Sequence, residues 1–360
     1  MPVTLTVNGQ IYSRWSAVRV SHSLRAVESE FEFETPAELL PPILPFAACT
    51  VDDDGERVLT GYVVTVEPVV EPHATRATIR GGSKTMDLVD CMPKFATNQF
   101  LGAKLDAIAR AVATPFGIDV TLSNNVDVGG AFTDATFERS ETAFAFLERL
   151  ARQRGVLLTD NANGDLVLTT LGTAAAAASL VMGQGGNVTL ARGKLDGKER
   201  FQEYDIRSQA GMAATGGAVQ PGIKAIAYDY GVPRYRVWSG IAESQLSDAD
   251  ALVRVQWEAS TRSGRSVSAL LTVPEWRAGG KLWQMNTLAS CIVPRLALKA
   301  QFLVGGVTRR EDGQGRRTEL LVAPPSAYLP GQLKVKTPKN TANPWEGIVQ
   351  PPGASGPGLG

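Results

Sequence analysis

Glu28, Glu30, Glu32 and Glu34 recur at every second position. In an extended chain that spacing sets all four carboxylates on one face of a strand. Paired carboxylates cleave glycosidic bonds only when two of them face each other across a cleft. A ladder on one strand has no such geometry, and a solvated strand face explains the row by alternation alone. The sharper alternative is an acidic wall lining a pore.

Other chemistry-bearing residues are sparse. Asp52-Asp53-Asp54-Gly55 could suggest a calcium loop, which needs ligands at set spacings and a bidentate Glu further on. Here Glu56 follows at once and the flanks read as strands, so a hairpin turn on Asp-Gly is preferred. Gly183-Gln184-Gly185-Gly186-Asn187 is glycine-rich, but no Lys-Ser or Lys-Thr follows and no strand-to-helix context surrounds it, so phosphate binding is not assigned. The two histidines, His22 and His73, stand far apart, which leaves little His-based metal or acid–base chemistry. Cys49, Cys91 and Cys291 are too few and scattered for a disulfide framework or zinc site. Cys49 and Cys91 read as small core residues. No G-x-S-x-G nucleophile motif is present. Trp238, Trp257, Trp276 and Trp283 fall within 46 residues. They could stack on single-stranded nucleic acid, but large aromatics more often anchor cores or subunit interfaces, which is the preferred reading. No catalytic residue, metal or cofactor is assigned.

The elements that must position these residues are mostly strands. Asn8-Gly9 marks a hairpin, and Ser16 to Ser23 alternates. Phe31 and Phe33 alternate with the glutamates, which makes a half-buried strand with an acidic outer face. Residues 36–46 read as a Pro-rich loop. Strands follow around Val51, over Val58 to Val66 and over Thr75 to Arg80. The period then changes. Phe100, Leu101, Leu105, Ile108, Ala109 and Val112 recur at helical spacing, ended by Pro115-Phe116-Gly117. Ile118 to Leu122 is a short strand. Glu141 to Arg154 is a second helix capped by Gly155, and Asn163-Gly164 turns a hairpin. The alanines 174–178 decide nothing. Strands return over 201–207 and 225–228, with Gly211 to Gly222 as a flexible loop. Ala249 to Arg262 is helical, strands are expected at 267–271, 281–293, 300–308 and 317–323, and 310–316 is a polar hairpin tip. Residues 330–360 read as a Pro/Gly/Lys tail.

Composition bounds the class. With 360 residues, 44% apolar and 20% charged, the chain can bury a sizeable core, and 36 Gly with 21 Pro lean toward turn-rich β structure. No run is long and apolar enough to span a bilayer, and the start lacks signal-peptide features, so a cytoplasmic origin is expected. The formal net charge is zero, yet residues 1–180 hold 14 Lys and Arg against 22 Asp and Glu, and residues 181–360 hold the reverse. Two complementary faces for subunit or domain contact would follow from that split, as would plain drift in surface composition.

Several stretches look familiar in order and spacing. Val51-Asp52-Asp53-Asp54-Gly55 runs into Val58-Leu59-Thr60-Gly61-Tyr62-Val63. Ser140 to Ala151 is followed by Gly155-Val156-Leu157-Leu158. Trp257 to Arg262, Gly264-Arg265, Val273, Trp276, Gly280, Leu282-Trp283, Asn286 and Phe302-Leu303-Val304 form a third group, and Glu199-Arg200-Phe201 with Tyr204 a fourth. The chain resembles the baseplate hub proteins of Mu-like contractile-tailed phages and prophages, which are related to the hub domains of type VI secretion spikes.

That resemblance implies a mixed, β-rich α+β fold with two tube-protein-like antiparallel β-barrel domains and inserted small α/β domains. The division expected is 1–92 with 178–210 as the first barrel, 93–177 as an inserted α/β domain, 211–240 with 281–330 as the second barrel, 241–280 as a helix-containing insertion and 331–360 as tail. It implies a non-enzymatic homotrimeric ring that joins the tail tube protein to the central spike protein, contacts other baseplate proteins and surrounds the channel for double-stranded DNA. The expected place is the virion baseplate, assembled in the bacterial cytoplasm. Glu28, Glu30, Glu32 and Glu34 are the candidate channel-lining residues. A hub of a tail-derived secretion or bacteriocin particle is the nearest alternative, ahead of a cell-wall glycan hydrolase or a nucleic-acid-binding module.

Overall fold

Strict alternation builds the N-terminal sheet. Val3–Val7 buries Val3, Leu5 and Val7, while Glu30–Pro36 buries Phe31, Phe33 and Thr35. Each strand therefore contributes every second side chain to one core. The computed structural model describes residues 3–36, 43–72, 74–95, 98–123, 126–207, 224–241 and 248–330. His73, the Gly211–Gly222 loop, the tail beyond 330 and much of the Pro-rich loop lie outside the described residues.

The main sheet has thirteen strands. Its path runs Leu190–Leu195, Val267–Pro274, Gly315–Ala323, Leu298–Asp312, Ala17–Ser23, Glu30–Pro36, Ala74–Ser83, Glu56–Glu71, Ala48–Asp53, Val3–Val7 and Gln10–Tyr12. Thr287–Val293 pairs with the early part of Leu298–Asp312, and Leu180–Val181 pairs with Thr287–Val293. Leu298–Asp312 is thus shared between the two halves of the chain. Its first residues pair with Thr287–Val293, and from Gly306 onward the same edge pairs with Ala17–Ser23. A bulge falls between Val304 and Gly306, at Gly305, where the Tyr328 ring packs so closely that no β-carbon would fit. The path is open at both ends, and no closed barrel is formed among the described residues.

Two hairpins close as their turn residues require. Asn8-Gly9 and Asp54-Gly55 each place both residues at positive φ, the primed turn that matches strand twist. The N-terminal core also takes in Trp276 and Leu282 from the far half of the chain. A separate core gathers Leu180 with residues of the C-terminal strands, among them Leu271, Trp283, Phe302 and Leu320.

Residues 88–168 pack around a third core. It is built on helices α1 (Met86–Asp90), α2 (Leu105–Ala113) and α3 (Ala143–Arg154). Thr142 caps α3 by accepting the Ala145 N–H at 3.2 Å, and Gly155 ends it in the left-handed region. Leu157–Asp160 and Leu166–Thr169 form the expected hairpin, with Val120–Leu122 alongside in parallel. Helix α2 is shorter than its periodicity suggests. Gln99–Ala103 is a strand paired with Phe132–Thr136, because Gly102 takes φ 63° and Lys104 remains extended before α2 begins.

The C-terminal half corrects the expected domain boundaries. The expected division groups Leu180–Val181 and Leu190–Leu195 with the first barrel, but they pair with Thr287–Val293 and Val267–Pro274 of the C-terminal half. It places Val267–Pro274 in the helical insertion, yet that strand sits inside the main sheet. Glu203–Arg207 lies at the centre of a three-stranded sheet between Lys224–Tyr228 and Val237–Ile241. Helix α4 (Asp248–Arg265) covers that sheet with Ala251 and Val255, against Tyr204 and Ile206. Long-range strand partners decide these boundaries, and local periodicity carries no record of them. Among the described residues, no helix is long and apolar enough to cross a membrane.

Candidate functional site

The glutamate strand lies between Ala17–Ser23 and Ala74–Ser83, with Phe31 and Phe33 turned to the core. Glu30, Glu32 and Glu34 occupy the opposite face, as alternation requires, whereas Glu28, expected on the same strand face, lies in a bend before the strand begins at Glu30. Glu32 is not free. It stands in register between Arg19 and Arg80, and accepts the Arg80 Nε–H at 2.6 Å. Arg80 also donates to Glu67 at 2.7 Å. Glu28, Glu30 and Glu32 line one open groove of about 440 Å³ with Arg19, Arg80 and Asp90. Glu34 lies outside it, opposite Thr78. The row is therefore a wall of mixed charge in which Glu28, Glu30 and Glu34 supply the acidic excess.

Sequence reasoning missed two buried clusters. In the first, Ser29 links the N-terminal sheet to the 88–168 unit. Its Oγ–H donates to Asp160 Oδ1 at 2.8 Å, and its N–H lies 3.1 Å from Asp160 Oδ2 and 3.0 Å from Ser83 Oγ. Because the Ser29 hydroxyl proton points to Asp160, the 2.6 Å contact with His22 Nδ1 makes His22 the donor. The His22 Nε2 is shut off from solvent and has no partner. Burial, aided by Arg309, pushes His22 down to about 3. Burial pushes Asp160 up to about 6, although bonds from Ser83 and Ser29 pull the other way. A serine placed between histidine and aspartate, itself buried, is a structural latch and not a nucleophile aligned on a base.

In the second cluster, Asp53 is fully buried beside the Asp54-Gly55 turn. Arg277 donates through Nε to its Oδ2 at 3.0 Å and through Nη2 to its backbone carbonyl at 3.0 Å. Arg316 Nη2 donates to its Oδ1, and Arg277 also reaches Glu56 at 2.6 Å. Arg316 lies over the Trp276 ring. Arg309, nearby and buried, is held down to about 10 by burial, with Asp53 and Glu56 opposing that shift. The aspartate triplet thus forms a turn, as its sequence suggests, but its middle residue is the counterion of the C-terminal half.

The tryptophans split. Trp276 and Trp283 are buried in cores, as anchors. Trp238 sits under Arg262, and Trp257 under Arg254 while its Nε1–H donates to the Leu329 carbonyl at 3.3 Å. They share no open stacking face. Cys49 and Cys291 are buried thiols pushed up to about 12 by desolvation, which suppresses the reactive thiolate. Cys91, expected in a core, is exposed. It caps the C-terminus of the short helix α1, and its chain is extended there, away from the core that Leu88 enters. Among the described residues, no group of three or more His, Cys, Asp or Glu could hold a metal ion.

The fold is a long shared sheet with a small α/β unit latched to it and a mixed-charge wall, and solved tail proteins share it. The chain is similar to the 43 kDa tail protein of prophage MuSo2 from Shewanella oneidensis, 35% identical, with a TM-score of 0.83 over 91% of this chain and 99% of that one. A tail protein from Neisseria meningitidis MC58 shares the fold at 19% identity, with a TM-score of 0.78 over 92% and 98% of the two chains. Residues 2–83 match the N-terminal domain of the Mu phage baseplate assembly protein GpP-like family, residues 85–170 the second domain of the baseplate hub protein gp44-like family, and residues 247–331 the fourth domain of GpP. Baseplate hub protein gp44 of Escherichia phage Mu is 31% identical over 342 residues, which cover 91% of this chain and 89% of that protein. The chain belongs to the Mu-type baseplate hub family.

Proposed function

We propose that the chain is a structural baseplate hub of a contractile tail, a homotrimeric ring that joins the tail tube to the central spike and surrounds the path of the genome. The observation that carries this reading is the 31% identity to the phage Mu hub across 91% of the chain. Its work is mechanical, and its partners are two further copies of itself, the tail tube protein, the central spike protein and other baseplate proteins. Double-stranded DNA passes through without specific binding. Assembly takes place in the bacterial cytoplasm, and the finished ring resides in the virion.

Within each subunit, two barrel-like units form the ring and the α/β elements decorate it. The strands of residues 3–83 form one unit, and residues 180–195 with 267–323 form the other, joined through Leu298–Asp312. Residues 85–170 and the sheet under α4 are the outer modules. The breaks between the three family matches support this division. Glu28, Glu30 and Glu34 line the channel, where carboxylates keep phosphates from sticking. A cyclic trimer repeats one head-to-tail contact, which suits a chain whose two halves carry opposite charge.

Light scattering with negative-stain imaging tests the reading. The expected result is a mass of three 38.3 kDa chains and a ring with a central hole, alone or after mixing with tube and spike proteins. A chain that remains a monomer in those mixtures would overturn it.

A further inference from the structure

One end of the three-stranded sheet presents aromatic surface that the fold itself does not use. Tyr230 is 90% exposed, Tyr235 84% and Tyr228 51%. The Tyr228 and Tyr230 rings stack with centroids 6.2 Å apart. Leu195, in the adjoining groove, and Val237, at the start of the next strand, are also exposed. Three exposed tyrosines grouped on one connection are unusual for free surface and typical of contact anchors, because each ring offers a large area with few rotors to freeze.

The connection is also held in shape before any partner arrives. Arg200 forms a two-pronged pair with Asp229, at 2.5 and 2.9 Å, and both side chains are largely buried. Asp229 Oδ1 accepts the Gly231 N–H at 3.0 Å, and the Val232 N–H donates to the Asp229 carbonyl at 3.1 Å. Arg236 donates to the carbonyls of Arg200 and Lys198 at 3.0 and 2.6 Å. A loop fixed by this many bonds loses little entropy on docking.

Charge selects the partner. A groove of about 460 Å³ beside the tyrosines is lined by Asp196, Lys198, Arg200, Arg234 and Arg236, with Leu195 and Pro233. Asp229 neutralises Arg200, and Lys194 pairs with Asp196 at 3.2 Å. Lys198 and Arg234 are exposed, and among the described residues Arg236 donates to carbonyls, which do not cancel its charge. We propose that the Tyr228–Arg236 connection is a docking tip for an acidic surface segment of another protein of the tail. The groove lining sets four cations against Asp196, with no longer basic track beyond it among the described residues, which suits an acidic polypeptide better than a nucleic acid strand.

The inference rests on the hub reading for its setting, and the test separates the two. A photo-crosslinking phenylalanine analogue replaces Tyr235 in the full chain, in particles assembled in cells, and crosslinked peptides are mapped by mass spectrometry. The expected result is one crosslink to a Glu- or Asp-rich segment of another tail protein. Arg234→Glu should reduce it about tenfold, and reversing the matching acid on the partner should restore it. Crosslinks to DNA, to another copy of this chain, or to nothing would overturn the inference while the hub reading stands. A chain absent from the particles would instead overturn the hub reading. Tyr230→Ala and Tyr235→Ala should leave the melting temperature unchanged, since both rings are exposed, so any loss of crosslink reports docking.

Discussion

Arg277 grips both the carboxylate and the backbone carbonyl of Asp53, a residue 224 positions earlier. The tip of an N-terminal hairpin is thereby fastened to the C-terminal half at the point where Trp276 enters the N-terminal core. Removing the charge while keeping the shape, in Asp53→Asn, leaves Arg277, Arg316 and Arg309 short of their shared counterion. Breaking such a pair costs about 3 kcal/mol or more. Urea denaturation at neutral pH should show that loss. A cost below about 1 kcal/mol would mean that Glu56 and Glu311, whose carboxylate lies 3.1 Å from Arg316 Nε, compensate.

The His22–Ser29–Asp160 latch predicts an unusual pH response. His22 titrates near 3 when folded and 6.5 when unfolded, so the unfolded chain binds the extra proton between those values, and stability falls as pH falls. Asp160 titrates near 6 when folded against 3.8 when unfolded, so the folded chain binds the extra proton, and stability rises as pH falls. Between about pH 4 and 6 the two slopes oppose each other. Relative to the parent chain, Asp160→Asn should steepen the acid loss by about 1.4 kcal/mol per pH unit in that window. His22→Asn should tilt the curve the other way. Parallel curves for parent and variants would remove the latch from the pH response.

Gly264 sits in α4 against the turn at Pro325–Tyr328. A β-carbon there would strike the Ser326 hydroxyl and the Ala327 backbone. At an open helical site, glycine to alanine gains up to about 1 kcal/mol. Here Gly264→Ala should instead cost about 1–3 kcal/mol by overpacking. Thermal unfolding gives the sign directly.

The channel-lining proposal has its own test. Replacing Glu28, Glu30 and Glu34 together by lysine adds phosphate contacts along the genome's path. DNA release from purified particles at low salt should slow by about tenfold and recover as salt is raised. An unchanged rate at every salt concentration would place the row outside the channel.

Elements governed by local chemistry are legible from the residues. Asn8-Gly9, Asp54-Gly55, the α3 cap and the alternation of Phe31 and Phe33 all follow from spacing and turn preference. What stays hidden depends on partners distant in sequence. Leu190–Leu195 reads as a strand anywhere, and only its bonds to Val267–Pro274 assign it to the C-terminal half. Asp53 looks like any turn aspartate until Arg277 and Arg316 close over it. Ser29 and Asp160, which form the latch, carry no motif at all. Periodicity extends helix α2 too far because Phe100 and Leu101 fit its spacing, while Gly102 turns the chain out of it.

The strand Leu298–Asp312 is made long after the edge that it completes. Ser23 pairs with Gly306, some 280 residues later in synthesis. At ribosomal speeds of about 5–20 residues per second, the Ala17–Ser23 edge waits roughly 15–55 s for its partner. During that interval the nascent N-terminal sheet shows an unpaired strand to every other chain on the same messenger. The topology thus leaves one short edge open to mispairing until the last quarter of the chain emerges.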